Sequence, residues 1–166
     1  MEQHDLSQSL RKHPFLSDMS DDLIKTLTSC ASNVVLQEGA HLFREGEDAK
    51  NFYLIRSGRV ALEIQAGEKG EIRVQTLGPG EVLGWSWLIS PYRRHFDAIA
   101  VEEVHAFAID TTCLRTKCET DYHFGYEMLR RFSAVLERRL EATRMQLLDM
   151  YGVYMQDGGT RIDSGT

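Results

Sequence analysis

The chain has 166 residues, 42% of them hydrophobic and 27% charged, which fits one globular domain and excludes a largely disordered chain. No apolar run approaches the ~20 residues that cross a bilayer, and the first ten residues lack the pattern of a secretion signal, so the sequence predicts a cytoplasmic protein with no membrane partner. The net charge of −6 excludes a generally basic surface for nucleic acid.

The N-terminal part of the chain is predicted to contain one short helix. Residues 1–13 are polar and are interpreted as a segment that precedes the domain. Leu23, Ile24 and Leu27 then recur at helical spacing, with Ser20 or Asp21 placed to cap the first free N–H groups. A helix is therefore expected over residues 21–30, near the start of a domain that extends over 14–121.

The middle of the chain has the residue pattern of an antiparallel β structure. From Val34 onward, short runs of β-branched and aromatic residues alternate with glycines at intervals of roughly ten residues. Residues 52–56 and 59–64 are predicted to form a hairpin around Gly58, with Val60, Leu62 and Ile64 facing the core. Further strands are expected at 72–77, 98–101 and 104–109. Residues 84–97 between them fit one helical turn followed by a loop.

The C-terminal part is predicted to be helical. Asp110 and Thr111 are placed to cap a short helix through Cys118, and a long helix is expected over 122–154, followed by a flexible tail at 155–166. Its apolar seam has alternating steps of four and three residues, which is the repeat of a coiled coil, so the helix is expected to mediate a homodimer. The seam consists of Leu136, Leu140, Thr143, Leu147, Met150 and Tyr154. An amphipathic helix packed on its own sheet is the alternative.

Direct DNA binding is not expected. Five arginines make the long helix basic, but Glu127, Glu137 and Glu141 are interleaved with them, Glu127 and Glu141 at distances of three or four residues, and provide ion-pair partners on a solvated face. The twelve residues after Tyr154 are also fewer than the ~20 that a helix-turn-helix requires. The arginines concerned are Arg130, Arg131, Arg138, Arg139 and Arg144.

Metal sites and disulfides are not expected either. No two of the six histidines are placed as paired ligands on one strand, which disfavours a metalloenzyme, and the sequence predicts no enzymatic activity. Cys113 and Cys118 lack the second cysteine pair that a zinc site needs. The odd number of three cysteines predicts free, reduced thiols that do not hold the fold.

The order of these elements resembles that of the cyclic-nucleotide-binding domains of the catabolite-activator and fumarate-nitrate-regulator superfamily. Four motifs carry the resemblance, over about 100 residues: the helix entry at 13–16 and 21–23, the loop at 43–49, the run Phe52-Tyr-Leu-Ile-Arg-Ser-Gly-Arg-Val60, and Leu77-Gly-Pro-Gly-Glu-Val-Leu-Gly84. The resemblance implies an eight-stranded antiparallel jelly roll (a double-stranded β-helix), with a short N-terminal helix, a long C-terminal dimerisation helix and a phosphate-binding cassette at about 80–98.

The cassette departs from the family pattern at three positions. Trp85 stands where the resemblance implies a glutamate that binds the ribose hydroxyl. If Ala98 is the cassette alanine, then Phe96 stands where an arginine would pair with the cyclic phosphate, and Asp97 replaces a hydroxyl residue. Loss of the arginine alone should weaken cyclic nucleotide binding by roughly 10- to 100-fold. The sequence therefore does not predict ordinary cyclic AMP binding.

Other residues of the cassette provide compensation. Arg93 or Arg94 could supply the guanidinium, since the cassette is one residue longer than usual, and the backbone N–H groups of Trp85 and Ser86 favour an anion. The run Gly84-Trp-Ser-Trp resembles a subgroup of small bacterial proteins that consist of this domain alone. The predicted ligand-binding residues are Gly84, Trp85, Ser86, Arg93, Arg94, Phe96, Asp97 and Ala98, with Trp87 and Tyr92 beside them.

Two functions remain open at this point. The first is a regulatory sensor that binds cyclic AMP, cyclic GMP or another small anion, and signals to a partner protein through its C-terminal helix. The second is a ligand-free scaffold whose aromatic residues, Trp85 and Trp87 above all, fill the pocket, which is what clustered aromatic side chains commonly do.

Overall fold

The computed structural model describes the backbone of residues 2–152 and the side chains of residues 3–152. The chain divides into two compact units, Met1–Met128 and Leu129–Thr166. Among the described residues, no helix is both long enough and apolar enough to cross a membrane.

Two helices precede the β structure. The first, α1 (Glu2–Arg11), was not predicted and lies within the polar segment 1–13. Leu10 is fully buried and Leu6, four residues earlier, is half-buried, so two leucines one turn apart anchor a helix whose other residues are polar. The second helix, α2 (Asp21–Thr28), confirms the prediction for 21–30, although the Ser20 side chain makes no capping bond.

Eight strands form two four-stranded antiparallel sheets, which confirms the jelly roll. The first sheet has the order β1-β8-β3-β6 and the second the order β2-β7-β4-β5. Their bounds are β1 Ala31–Leu36, β2 His41–Phe43, β3 Asn51–Ser57, β4 Val60–Gln65, β5 Glu71–Leu77, β6 Val82–Leu83, β7 Asp97–Ala100 and β8 Val104–Asp110.

The predicted hairpin of β3 and β4 is wrong, because these strands lie in different sheets. β3 pairs with β6 and β8, whereas β4 pairs with β5 and β7. Gly58 therefore makes a corner between the sheets, with a φ of +83°. A Cβ atom at this position would lie 2.9 Å from the Cα of Val104 and would overlap the carbonyl oxygen of Glu103. Only glycine permits this close passage of two chain segments.

Apolar side chains from both sheets line the space between them and pack together in a set that we term the interior cluster. Within β4, Val60 and Leu62 belong to it as predicted, while Ile64 is half-buried. The cluster consists of Phe43, Ile55, Val60, Leu62, Leu77, Leu83, Ala98, Ala100, Val104 and Ala106, with Val34, Leu36, Leu42, Tyr53, Val74 and Phe96 packed against it. Burial on this scale is the main source of the stability of the domain.

The prediction of three free thiols is also wrong. Cys30 and Cys113 form a disulfide bond with a Cα–Cα distance of 5.7 Å. The two residues are 83 positions apart, but Cys30 immediately precedes β1 and Cys113 follows β8, and these strands pair with Ala31 opposite Ile109. Strand pairing thus brings together two cysteines that no local spacing relates. Cys118 is the free cysteine.

Two helices follow the β structure as predicted. The helix α3 (Thr111–Thr120) is capped by Asp110, whose carboxylate accepts a hydrogen bond of 2.7 Å from the Cys113 N–H. The long helix α4 spans Tyr122–Met150. Tyr151 and Gly152, which were predicted to continue the helix, form a turn instead. The rest of the predicted continuation to residue 154, the flexible tail at 155–166 and the seam residue Tyr154 lie outside the described residues.

His13 links the N-terminal region to β3. Its Nδ1 atom accepts a hydrogen bond of 3.2 Å from the Phe15 N–H, and its Nε2 lies 3.0 Å from the carbonyl oxygen of Ile55. The first bond requires a neutral ring with its proton on Nε2, which then donates to Ile55. Burial, assisted by the nearby charge of Arg56, lowers the pKa of His13 below 6.5.

The protein should lose stability as the pH falls below 6.5, the ordinary pKa of histidine. In that range the unfolded chain binds a proton at His13 that the folded protein does not bind. The contribution of His13 to the free energy of unfolding is therefore fully present above pH 6.5, and it is lost as the pH falls toward the lowered pKa of the folded state. We expect His13→Gln, which can donate to Ile55 without titrating, to reduce the pH dependence of Tm. An identical dependence in both proteins would contradict this role for His13.

Candidate functional site

The cassette leaves the first sheet at the end of β6 and enters the second at β7. Gly84, with a φ of +95°, leads into a 3₁₀ turn at Trp85–Leu88, and an irregular loop continues to Asp97. This confirms the prediction of one helical turn followed by a loop. The loop crosses one end of the jelly roll, so its side chains can reach either the interior or the solvent.

Arg94 is the cationic residue of the cassette that reaches the interior. Its residue exposure is 3%, and its guanidinium carbon lies 4.0 Å from the centre of the Phe43 ring, which belongs to the interior cluster. One terminal nitrogen, Nη2, donates to the carbonyl oxygen of Asn51 at the start of β3. The loop that follows β2 holds the backbone of Arg94. The Arg94 N–H donates to the carbonyl oxygen of Glu47, and the Arg94 carbonyl oxygen accepts from the Gly46 N–H, each at 2.9 Å.

The other two guanidinium nitrogens of Arg94, Nε and Nη1, are buried and have no hydrogen-bond partner among the described residues. Burial lowers the pKa of Arg94 to about 10, and the opposing influences of Tyr53 and Glu47 are smaller. An unsatisfied buried donor costs about 1–3 kcal/mol, and more when it is charged. The structure thus contains a buried cation with two free donors, which is the chemical complement of an anion.

Tyr53 and Gly84 lie beside this guanidinium. Burial raises the pKa of Tyr53, an effect that the Arg94 charge opposes. A Cβ atom added to Gly84 would collide with Nη1 of Arg94 and lie 3.4 Å from its Cζ. Gly84 is therefore required both for its backbone conformation and for the room that it leaves to the guanidinium.

Arg93 faces the opposite way. It makes an ion pair of 3.0 Å with Asp48 and donates to the carbonyl oxygen of Gly46 at 3.2 Å, with 54% of its side chain exposed. Of the two arginines that the sequence could not tell apart, the structure brings only Arg94 to the interior.

Phe96 is the last residue of the loop, and Asp97 and Ala98 begin β7 in the second sheet. Phe96 packs against the interior cluster, and Ala98 is fully buried within it. Asp97 is buried, with one oxygen accepting from the Glu45 N–H at 2.8 Å and the other from the Gln65 side chain at 3.4 Å. Each carboxylate oxygen of Asp97 thus accepts one hydrogen bond from the protein.

The two tryptophans lie apart from the interior cluster. Trp87 is buried and stacks on Phe52 with ring centres 5.9 Å apart. Phe52 precedes Tyr53 on β3 and so faces the other side of the sheet. Trp85 is half-buried and stacks on His95 at 5.7 Å. Ser86 is buried between them in the 3₁₀ turn, and Tyr92 packs its ring against Arg115.

Sequence analysis missed four residues around Arg94: Phe43, Glu47, Asn51 and Tyr53. Alternation along the β3 strand provides one signal, since Asn51, Tyr53 and Ile55 are two residues apart and must share a face. Phe43 ends β2, and Glu47 lies in the loop that follows it, whose conformation no sequence pattern predicts.

The predicted seam of α4 is largely uncovered. In the unit that begins at Leu129, the exposed fraction is 53% for Leu129, 65% for Leu140, 51% for Leu147 and 84% for Met150. Leu136 is half-buried, and the hydroxyl of Thr143 donates to the carbonyl of Arg139. Leu129 lies one heptad before Leu136 and extends the seam toward the N-terminus.

No group of three or more histidine, cysteine, aspartate or glutamate side chains is placed to hold a metal ion within the described range, residues 2–152.

Comparison with known proteins identifies relatives for most of the chain. Residues 33–121 match the model of the cyclic nucleotide-binding domain. The CRP-like cAMP-activated global transcriptional regulator of Mycobacterium tuberculosis is 27% identical over 145 residues, which cover 87% of this chain and 63% of the relative. The chain thus spans less than two thirds of the length of that relative.

Solved structures show the same fold. A putative cyclic nucleotide-binding protein from Geobacter metallireducens has 25% identity and a TM-score of 0.73, with 81% of this chain and 97% of that chain covered. The sensor domain of the transcriptional regulator DNR from Pseudomonas aeruginosa has 22% identity and a TM-score of 0.66, with 85% and 95% covered.

Proposed function

The chain belongs to the cyclic nucleotide-binding domain family, and from that premise we propose that it is a non-enzymatic sensor whose Arg94 binds the anionic group of a small ligand inside the jelly roll. The ligand class is a phosphate ester, with cyclic AMP and cyclic GMP as the first candidates. The observation that supports this most strongly is the buried Arg94 guanidinium with two unpartnered nitrogens.

The geometry supports an anion rather than a neutral ligand. A buried guanidinium is stabilised by an opposite charge, and its planar fork matches two oxygens of a phosphate. Glu47 lowers the cost of the charge without a direct bond to Nε or Nη1. A bound anion would satisfy both nitrogens and raise the pKa of Arg94 toward its ordinary value.

The departures from the family pattern limit the ligand. The resemblance implies a glutamate for the ribose hydroxyl, and the half-buried Trp85 in its place offers no acceptor. Phosphate recognition is therefore retained through Arg94, two residues before the usual position, while ribose recognition is lost. We expect discrimination between ligands to depend more on the anion and less on the sugar than the family pattern implies.

A titration of the purified protein against a panel of anions tests this proposal. The panel contains cyclic AMP, cyclic GMP, cyclic dinucleotides, ATP and inorganic phosphate, and the readout is Tm followed by calorimetric Kd. A ligand at 100 times its Kd should stabilise the folded state by ~2.7 kcal/mol. A saturable rise in Tm is expected for at least one phosphate ester. No rise with any of them would favour the ligand-free scaffold.

We further propose that the signal passes through α4 to a second copy of the chain. The exposed leucines at positions 129, 140 and 147 repeat at heptad-related spacing, and burial of such a seam is the usual driving force of coiled-coil dimers. We propose in addition that a partner protein binds the dimer and receives the signal from it.

The double variant Leu140→Asp/Leu147→Asp should be a monomer where the wild-type protein is a dimer, because two charges on each helix would enter the buried seam. Light scattering after size-exclusion chromatography measures the mass. Ala142→Asp is the matched control, since Ala142 is exposed on the same helix but off the seam, and it should remain dimeric. A wild-type monomer at high micromolar concentration would contradict the dimer.

A further inference from the structure

The Cys30–Cys113 disulfide joins the end of the N-terminal helices to the first turn of α3. Cys30 is 7% exposed, whereas Cys113 is half-buried, so Cys113 is the more accessible residue of the pair. Apart from this bond, α3 has few anchors, since only Thr111 and Leu114 among its ten residues are buried. The disulfide is thus one of a small number of contacts that hold the first turn of α3.

Thr111, two residues before Cys113, contacts the segment that precedes β3. Its hydroxyl donates to the carbonyl oxygen of Ala49 at 2.6 Å, and its N–H donates to that of Lys50 at 3.0 Å. Thr111 is fully buried, so these bonds are shielded from water. The first turn of α3 and the segment 48–51 are in this way held together.

The other side of segment 48–51 holds the cassette. The Ala49 N–H donates to the carbonyl oxygen of Tyr92 at 2.7 Å, and Asp48 pairs with Arg93 at 3.0 Å. Most directly, the carbonyl of Asn51 accepts the hydrogen bond from Arg94. Segment 48–51 is thus bonded to α3 on one side and to the candidate anion site on the other.

A second contact joins α3 to the cassette. Arg115, two residues after Cys113, donates to the carbonyl oxygen of Trp87 at 3.2 Å, and its guanidinium carbon lies 4.4 Å from the centre of the Tyr92 ring. A change in the first turns of α3 therefore reaches the cassette by two routes of direct contact.

We propose that the Cys30–Cys113 pair is a thiol–disulfide switch that sets the anion affinity of the Arg94 site, an inference that rests on the proposed function. In the oxidised state α3 fixes segment 48–51 and positions the guanidinium. In the reduced state α3 is held by fewer contacts, Arg94 is less well positioned, and the anion binds more weakly.

The switch uses ordinary thiol–disulfide exchange. The Cys113 thiolate attacks a low-molecular-weight disulfide and releases one thiolate, and the Cys30 thiolate then attacks Cys113 and releases the second. Two cysteine thiols lose two protons and two electrons, and the small disulfide becomes two thiols. Cys118 does not compete, because burial and the neighbouring Asp121 and Glu119 raise its pKa to about 11 and keep it protonated at neutral pH.

Two measurements on the whole chain, oxidised with glutathione disulfide or reduced with dithiothreitol, test the switch. Hydrogen exchange at the Ala49 and Arg94 amides reports the positioning of the cassette without a ligand. Calorimetry with cyclic AMP, and with the other anions of the panel, reports the Kd. On reduction we expect faster exchange at both amides and a Kd raised about fivefold or more, the usual size of a coupling between sites.

Two variants sharpen the test. Cys113→Ser should show the exchange rates and the Kd of the reduced protein in either condition. Cys118→Ser should respond to oxidation and reduction like the wild-type protein, because this cysteine is outside the switch. A response that persists in Cys113→Ser would overturn the inference.

The failures of the two proposals differ. Anion binding with equal Kd in both states, or amide exchange that does not change on reduction, overturns the switch and leaves the Arg94 site standing. If no anion binds in either the oxidised or the reduced state, the proposed anion site at Arg94 is wrong, and so is the proposal that the disulfide controls its affinity. A peptide map of the oxidised protein that shows Cys30 unpaired overturns the switch at its first step.

Discussion

Arg94→Ala should weaken anion binding by about 10- to 100-fold, the loss expected when one charge-assisted contact is removed. The guanidinium is buried, faces the interior cluster and has two nitrogens without a hydrogen-bond partner in the part of the chain that the structure describes. No other arginine or lysine of the cassette is placed to substitute for it in the described structure, since Arg93 points to Asp48. The affinity is measured by calorimetry with the anion that binds the wild-type protein most tightly.

Arg93→Ala is the matched control. It removes the same charge one residue away, at a side chain that is 54% exposed and paired with Asp48, so we expect a Kd within about twofold of wild type. Arg94→Lys retains the charge but loses the fork of donors, and should bind with intermediate affinity. Equal losses in Arg93→Ala and Arg94→Ala would show that the charge acts at long range rather than by contact.

Gly58→Ala should destabilise the protein by about 2–4 kcal/mol. The methyl group would meet the backbone of Glu103 and Val104, which cannot move aside as a flexible side chain could, and the φ of +83° is itself unfavourable for alanine. For a chain of this length such a loss lowers Tm by roughly 5–15 °C. Thermal unfolding followed by circular dichroism provides the measurement.

Gly39→Ala separates the two causes of that loss. Gly39 has a φ of +86°, close to that of Gly58, but no atom lies within 4 Å of the position its Cβ would occupy. Only the conformational cost of about 1–2 kcal/mol applies there. If both variants lost the same stability, the close passage at Gly58 would not be a source of strain.

The fold could be predicted from sequence in its elements but not in all of its pairings. Glycine spacing and alternation identified β5, β7 and β8, whereas helical spacing and capping residues identified the helices α2 to α4. The pairing of β3 with β4 was wrong because a glycine with positive φ makes a hairpin turn and a corner between sheets equally well. The burial of two leucines, Leu6 and Leu10, produced α1 without a repeat long enough to be recognised.

The site could be predicted as a region but not as a set of contacts. The sequence placed an anion site in the cassette and left Arg93 and Arg94 equivalent, because adjacent residues of an irregular loop have no periodicity that assigns them to a side. The backbone hydrogen bonds of Arg94 with Gly46 and Glu47 fix which arginine faces the interior, and Gly46 and Glu47 lie almost fifty residues before Arg94 in the sequence.

The disulfide shows a further limit of sequence reasoning. Spacing along the sequence relates Cys113 to Cys118, which is five residues away. The disulfide instead joins Cys113 to Cys30, because the pairing of β1 with β8 brings these two cysteines together. Only the register of distant strands brings these two sulfurs together, and an odd number of cysteines obscures the pair.

The central claim is that the Arg94 guanidinium contacts the anion, and side-chain NMR of the ¹⁵N-labelled protein tests it most directly. During titration with the phosphate esters of the panel, the Nε–H signal of Arg94 should shift in a saturable manner, because this nitrogen gains its missing hydrogen-bond partner. The corresponding signal of Arg93 should stay in place. Saturable binding that leaves the Arg94 signal unchanged, or the absence of binding by every anion of the panel, would contradict the account.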